Sequence, residues 1–243
     1  MTYNVILNSL NKQNVNTLIR NFILSSNKCN TIAIQLKILL LTILIFTTVA
    51  ISADKKKLSD KNIRECYYNS YELEKQNRFM EAIKALDPVK KKFPNAYTVN
   101  YRLGWLAYVN GKYADALSYY KLALTQFPSS IEIMQKEILI HVAQKKWTSV
   151  ENTARQIMKI SYYEPTANYW LAYALRQNKK YDVALKLVSG YTVLYPTATT
   201  MLVEMALLQQ ALGKHSEAYA TYNSIRILDP YNQTAINFFN TIK

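Results

Sequence analysis

Two histidines, two cysteines and four glycines are among the scarcest chemical resources of this 243-residue chain, and none of them is arranged for catalysis. His141 and His215 have no second ligand at metal spacing, so structural roles are expected for both. Gly104, Gly111, Gly190 and Gly213 stand apart, which leaves no Gly-rich loop to cradle a phosphate or dinucleotide. The sequence also lacks a nucleophile elbow, an HExxH helix and clustered carboxylates in a defined framework. These absences predict a non-enzyme without metal or cofactor. What remains is the chemistry of contact: 20 tyrosines, 3 tryptophans and a formal net charge of +14, a combination suited to holding macromolecules.

The charge is distributed over the whole chain. Residues 1–53 hold Lys12, Arg20, Lys28 and Lys37 and no acid, so 26 basic against 16 acidic groups belong to the remainder. Such an excess suggests an anionic partner or surface and says nothing about fold. Half the residues are apolar, enough for a folded core, and low Gly and Pro content fits a helical protein.

Residues 1–53 read as an N-terminal leader. Ile38 to Ala50 is an uncharged apolar run of 13 residues behind Lys37, followed by ISA at 51–53 and then Asp54, Lys55, Lys56 and Lys57. That length falls short of a comfortable bilayer span and matches the h-region of a signal peptide (38–50), with cleavage expected after Ala53 or, second, after Ala50. An uncleaved membrane anchor is the alternative. Cys29 precedes the apolar run and so cannot be a lipidated cysteine placed after it; with the leader removed, Cys66 has no partner for an internal disulfide and is expected to serve as a small buried apolar group. Residues 1–35 are Asn-rich and aperiodic, whereas LKILLL from Leu36 opens like an ordinary signal. Initiation at position 36 is therefore expected, giving an 18-residue signal from Leu36 to Ala53. The charged stretch 54–62 reads as a linker.

A period of 34 residues organises the rest. It runs without insertion from 63 to 232 as 63–96, 97–130, 131–164, 165–198 and 199–232. Position 20 of each repeat is Ala82, Ala116, Val150, Ala184 or Ala218, small enough for two helices to approach closely. Position 17 is Phe79, Tyr113, Trp147, Tyr181 or His215, beside a turn. Position 32 is Pro94, Pro128, Tyr162, Pro196 or Pro230, where a proline stops a helix; position 27 is apolar throughout. Gly111 and Gly213 fall at position 15, where a left-handed turn conformation favours glycine. Position 16 is basic in every repeat: Arg78, Lys112, Lys146, Lys180 and Lys214, thickened by Lys145 and Lys179. These charges are expected to form a ridge along one edge, facing phosphate head groups, an acidic polysaccharide or an acidic protein, or to be simply a solvated turn.

Repeat 2 carries Leu103-Gly104, Tyr108, Gly111, Tyr113, Ala116, Tyr120, Ala123 and Pro128, and on these residues the chain resembles the tetratricopeptide repeat family. The resemblance covers 63–232. It implies an all-α fold: antiparallel helix pairs stacked as a right-handed superhelical solenoid, with A helices lining a concave groove. Repeat 3 departs most, with Ile138 at a small-residue position, Glu137 and Glu151 in core columns and no proline at 162; its helix A is expected to be shifted by one residue or bent. Residues 233–243 are expected to form a C-terminal capping helix whose Phe238 and Phe239 cover the stack imperfectly, leaving an end open to self-association.

The family's groove positions transfer to Arg64, Tyr67, Tyr68, Tyr71 and Glu74 in repeat 1, and to Tyr101, Arg102, Trp105 and Tyr108 in repeat 2. In repeat 4 they are Tyr169, Trp170, Tyr173 and Arg176, while repeats 3 and 5 supply Glu132, Lys136, Glu204 and Gln210. The aromatic side chains among them suit an extended peptide or glycan, although rings of this kind also pack between adjacent A helices. The carboxylate clamp that the family uses for acidic C-terminal tails has no counterpart: its asparagines are absent and Glu132 would repel the ligand. Nucleic acid is not expected, because the pentatricopeptide arrays that bind RNA have a period of 35. The functional expectation is a non-enzymatic scaffold of the cell envelope, periplasmic or secreted, holding an extended segment of a protein or peptide partner in its groove. The alternative is a structural component of a surface assembly or export machine (polysaccharide, pilus or outer-membrane protein biogenesis) that works through its basic ridge and ends.

Overall fold

The computed structural model describes residues 58–242. The leader, its apolar run and the proposed start at Leu36 lie outside them. Twelve helices and no strand occur among the described residues. In chain order they are α1 (Asp60–Lys75), α2 (Phe79–Ala85), α3 (Asp87–Lys92), α4 (Tyr97–Val109), α5 (Tyr113–Leu124) and α6 (Ile131–Ala143). Then follow α7 (Trp147–Ile160), α8 (Pro165–Gln177), α9 (Tyr181–Leu194), α10 (Thr199–Ala211), α11 (His215–Leu228) and α12 (Gln233–Thr241). No described helix is long and apolar enough to cross a membrane.

The helices alternate as A and B members of antiparallel pairs. B helices open at Phe79, Tyr113, Trp147, Tyr181 and His215, and A helices at Tyr97, Ile131, Pro165, Thr199 and Gln233, each 34 residues after the last. The first A helix departs from this spacing. α1 begins at Asp60, inside the charged segment expected to be linker, because Ser59 accepts from the Asn62 N–H while Asn62 returns the contact, a reciprocal N-terminal cap. The first B helix is divided: Leu86 ends α2 and α3 begins with Asp87-Pro88, since proline lacks the N–H that would continue the ladder.

All five A–B turns close identically. The residue at position 15 takes a left-handed conformation, with φ of 73° at Gly111 and Gly213, 58° at Asn77, 55° at Lys145 and 59° at Lys179. Its N–H and that of position 16 return to carbonyls of the preceding helix, as Gly111 N–H does to Tyr108 and Lys112 N–H to Ala107. Lys145 and Lys179 thus accept a conformation that costs a side-chain-bearing residue about 1 kcal/mol relative to glycine. The closing bonds are made in full around them.

Packing follows the small-residue column. Ala82, Ala116, Val150, Ala184 and Ala218 are all fully buried. Gly104 of α4 has the same purpose: a Cβ there would lie closer than 3 Å to the ring of Tyr120, itself fully buried. Repeat 3 keeps the common register. Its A helix, α6, opens at Ile131 behind a Ser130 cap, so the expected shift is absent. Consecutive A helices also pack on one another, α4 on α6 and α6 on α8 and α8 on α10. The side on which successive repeats approach most closely is the inside of the curve, which places the A helices along the concave face. At the far end, α12 lays Phe238 flat on Tyr222 (4.2 Å between centroids, 22° between planes) and Phe239 edge-on to Tyr219 (5.3 Å). Both phenylalanines are half-buried, while Ile242 beyond them is exposed.

Candidate functional site

Side chains on the A helices gather into two aromatic groups, with one lysine beside the first. In the first, the Arg102 guanidinium lies over the Tyr71 ring at 3.7 Å and pairs with the Glu74 carboxylate. The same carboxylate accepts the Trp105 Nε1–H at 2.6 Å. Tyr108 stands beside Trp105, with centroids 5.7 Å apart, and Tyr101 tilts onto Tyr120. Tyr67 donates to the Thr98 hydroxyl at 3.2 Å, whereas Tyr68 points outward and is 66% exposed. In the second group, Tyr169, Trp170 and Tyr173 meet pairwise at 5.0 to 6.2 Å, and Trp147 of α7 joins Tyr173 at 5.5 Å. Arg176 sits over the Tyr173 ring and grips Glu204 through two bonds of 2.8 and 3.1 Å. Lys136 on α6, 4.9 Å from the Trp105 ring, makes no ion pair among the described residues.

The two arginines therefore have other work than the one expected of them. Arg102 is buried and Arg176 half-buried, each consumed by a carboxylate of the adjacent A helix. The pairs are counterparts with reversed polarity: position 12 of one repeat meets position 6 of the next, acid to base in Glu74–Arg102 and base to acid in Arg176–Glu204. Each guanidinium already has a carboxylate partner within the stack. Beside the paired arginines stand half-buried rings, the Lys136 ammonium and phenol hydroxyls. Burial pushes the phenols of Tyr67, Tyr101 and Tyr169 above their ordinary range, so they donate hydrogen bonds and carry no charge at neutral pH. Tyr101, Tyr108, Tyr169 and Trp170 also lean on buried core side chains, so these half-buried rings pack the stack.

All five residues of the basic row are exposed, at the A–B turns. Three are neutralised: Arg78 by Glu81 at 2.6 Å, Lys180 by Glu151 at 3.0 Å, Lys214 by Glu217 at 3.5 Å. Lys112 and Lys146 make no ion pair among the described residues, so the ridge narrows to its middle. Glu151, a carboxylate in a core column, explains one of these pairings. Burial alone would raise its pKa, but hydrogen bonds from Lys180 and Arg155 outweigh that and hold it below the usual carboxylate range. Cys66 is half-buried and free, and burial together with neighbouring Glu65 raises its thiol, which makes it a poor nucleophile. No grouping of His, Cys, Asp and Glu able to hold a metal occurs among the described residues.

The opposite edge, at the B–A turns, was not expected as a surface. Eleven of the 17 exposed large apolar side chains lie at positions 29–33, among them Phe93, Phe127, Tyr162, Tyr163, Leu194, Tyr195 and Tyr231. Two hollows open there. One of about 800 Å³ lies between Tyr97 and Phe127 at the turn from repeat 2 to repeat 3; another of about 390 Å³ lies between repeats 3 and 4. The signal was present in the period, since position 31 holds Phe93, Phe127 and Tyr195, yet an apolar turn column is hard to tell from a core column without coordinates.

Comparison with known proteins places this geometry. The tetratricopeptide repeat family model matches residues 70–131, from within α1 to the first residue of α6. Anaphase-promoting complex subunit 7 of Arabidopsis thaliana is 25% identical over 167 residues, 66% of this chain but only 29% of that protein, so the chain spans under a third of this relative. A tetratricopeptide repeat protein from Parabacteroides merdae superposes with a TM-score of 0.65 at 17% identity, covering 72% of this chain and 70% of its own. YrrB, described as a tetratricopeptide protein with an unusual peptide-binding site, gives 0.61 at 14% identity over 79% and 97%. MamA of Desulfovibrio magneticus gives 0.62 at 13% over 72% and 99%. The tetratricopeptide family model thus matches most of repeat 1 and all of repeat 2, and the described residues share the fold of these tetratricopeptide repeat structures.

Proposed function

We propose that this protein is a non-enzymatic scaffold of the cell envelope that holds an extended segment of a partner protein along its A helices. The observation that carries this reading is the pair of aromatic groups, Trp105 with Tyr108 on α4 and Tyr169 with Trp170 and Tyr173 on α8, two A helices with α6 between them and their neighbouring arginines already paired. Tyr and Trp provide large contact area at little entropic cost, and neutralised arginines give a groove that selects by shape and hydrogen bonding more than by charge. An extended segment rich in apolar side chains fits it better than an acidic tail. The peptide-binding site named for YrrB is consistent with that use of the fold. Export rests on the apolar run 38–50 and the ISA ending, with the mature chain periplasmic or secreted, or held by an uncleaved anchor.

The test is capture from native envelope extract with residues 54–243, comparing wild type with the Trp105→Ala/Trp170→Ala variant after circular dichroism confirms equal helix content. The reading expects a partner whose recovery falls at least tenfold in the variant. Equal recovery by both would overturn it. The alternative, a connector in a surface assembly or export machine, draws on the contrast between the basic A–B edge and the apolar B–A edge, which gives the solenoid two further faces for partners, including an anionic glycan or membrane surface.

A further inference from the structure

The 390 Å³ hollow between repeats 3 and 4 is lined by Tyr162, Tyr163 and Tyr191 with Asn168, Arg155 and Lys186 around them, and two departures from the period create it. Position 32, proline in the other four repeats, is Tyr162; its ring meets that of Tyr163 at 4.8 Å and 87°, two faces at a right angle, 61% and 45% exposed. On the facing helix α9, Gly190 leaves open space where a side chain would stand, with nothing within 4 Å of an added Cβ. The turn carrying the tyrosines is pinned: Asn168, 1% exposed, donates through Nδ2 to the Tyr162 and Glu164 carbonyls at 2.8 and 3.0 Å. Its Oδ1 accepts no hydrogen bond among the described residues. Tyr195 extends the aromatic wall, 4.8 Å from Tyr191 and 6.2 Å from Tyr163.

No carboxylate lines the hollow, and two cations do. Arg155 already shares Glu151 at 2.9 Å, whereas Lys186 is exposed and makes no ion pair among the described residues. The volume lies near the lower end of the range for small-ligand sites, room for one or two ring units and too little for a long peptide. Right-angled phenol faces match the C–H-rich face of a pyranose, and their hydroxyls with the Asn168 amide match its hydroxyl rim. One unshared ammonium matches one negative charge per ring. We propose that this cleft on the B-helix side is a binding site for an acidic saccharide, a carboxylated pyranose stacked on Tyr162 and Tyr163 with its carboxylate toward Lys186. The site is separate from the A-helix groove and does not depend on the groove's partner.

The test is calorimetric titration of the protein with a trisaccharide of glucuronate, with the neutral glucose trisaccharide and an acidic hexapeptide as comparison probes. Gly190→Leu fills the hollow while replacing a helix-interior glycine by a better helix former, so its melting temperature should not fall. Wild type should bind the glucuronate trisaccharide at least tenfold more tightly than the neutral one. Binding should drop at least tenfold in Gly190→Leu, Tyr163→Ala and Lys186→Glu, and persist in Trp105→Ala/Trp170→Ala. No binding of the glucuronate probe, or binding that Gly190→Leu leaves unchanged, overturns the site. Equal or tighter binding of the acidic hexapeptide or the neutral sugar overturns the ligand class. Loss of binding in the groove variant alone would move the sugar to the groove and overturn the assignment.

Discussion

At the scale of single residues, repeat 3 shows how this fold tolerates charge where the family places apolar groups. Glu151 is answered by Arg155 and Lys180, but Glu137, half-buried on α6, has no ionic partner among the described residues, and burial raises its pKa. A carboxyl raised in the folded state stabilises the fold fully below its unfolded pKa, and that stability is lost as pH rises through the folded value. His141, one turn further on, works in the opposite sense. Burial, assisted by Lys146, lowers its pKa, and its Nδ1 is buried without a partner, so its contribution is lost as pH falls. Glu137→Gln removes only the first effect. Its melting temperature should match wild type in acid, where Glu137 is protonated, and exceed it as pH rises above the ordinary carboxylate range; a difference independent of pH would refute the assignment.

At the scale of elements, the stack is held by alanines in the close column and by two ion pairs of opposite polarity between A helices. Glu74–Arg102 joins α1 to α4, and Arg176–Glu204 joins α8 to α10. Removing one partner of a buried pair strands the other, which costs about 3–5 kcal/mol. Glu74→Ala should therefore lower stability in urea by about that amount, because Arg102 is 4% exposed and cannot reach water easily. The reversed pair in repeats 4 and 5 shows that the same two positions accept either orientation. The swap Glu74→Arg/Arg102→Glu should recover at least half of what Glu74→Ala loses. A swap no more stable than the single variant would show that the surrounding rings, Tyr71 and Trp105, fix the polarity.

At the scale of the molecule, a solenoid is stable only if its ends are covered, because each repeat buries its apolar face on the next. α12 provides that cover through Phe238 on Tyr222 and Phe239 on Tyr219. Deleting residues 233–243 should uncover these tyrosines and drive the chain to dimers at micromolar concentration, measured by light scattering on a sizing column. A deletion variant that stays monomeric at about 100 micromolar, far above a micromolar dissociation constant, would show the end to be self-sufficient.

Much of this was determined by the sequence alone. The period of 34, the buried small column and the left-handed turns at Gly111 and Gly213 follow from local chemistry that repeats whatever the neighbours do. That these rings fall on the A helices was legible for the same reason, since the period fixes which segment each belongs to. What only the tertiary structure decided was the partnership of each charge. Whether Arg102 is a free hand for a ligand or the buried counterion of Glu74 depends on a residue 28 positions away on another helix. Whether the basic row is a continuous ridge depends on Glu81, Glu151 and Glu217 reaching it. The apolar B–A edge and its cleft at Gly190 likewise arise where two repeats fail to fill the space between them, a property of packing that no single repeat contains.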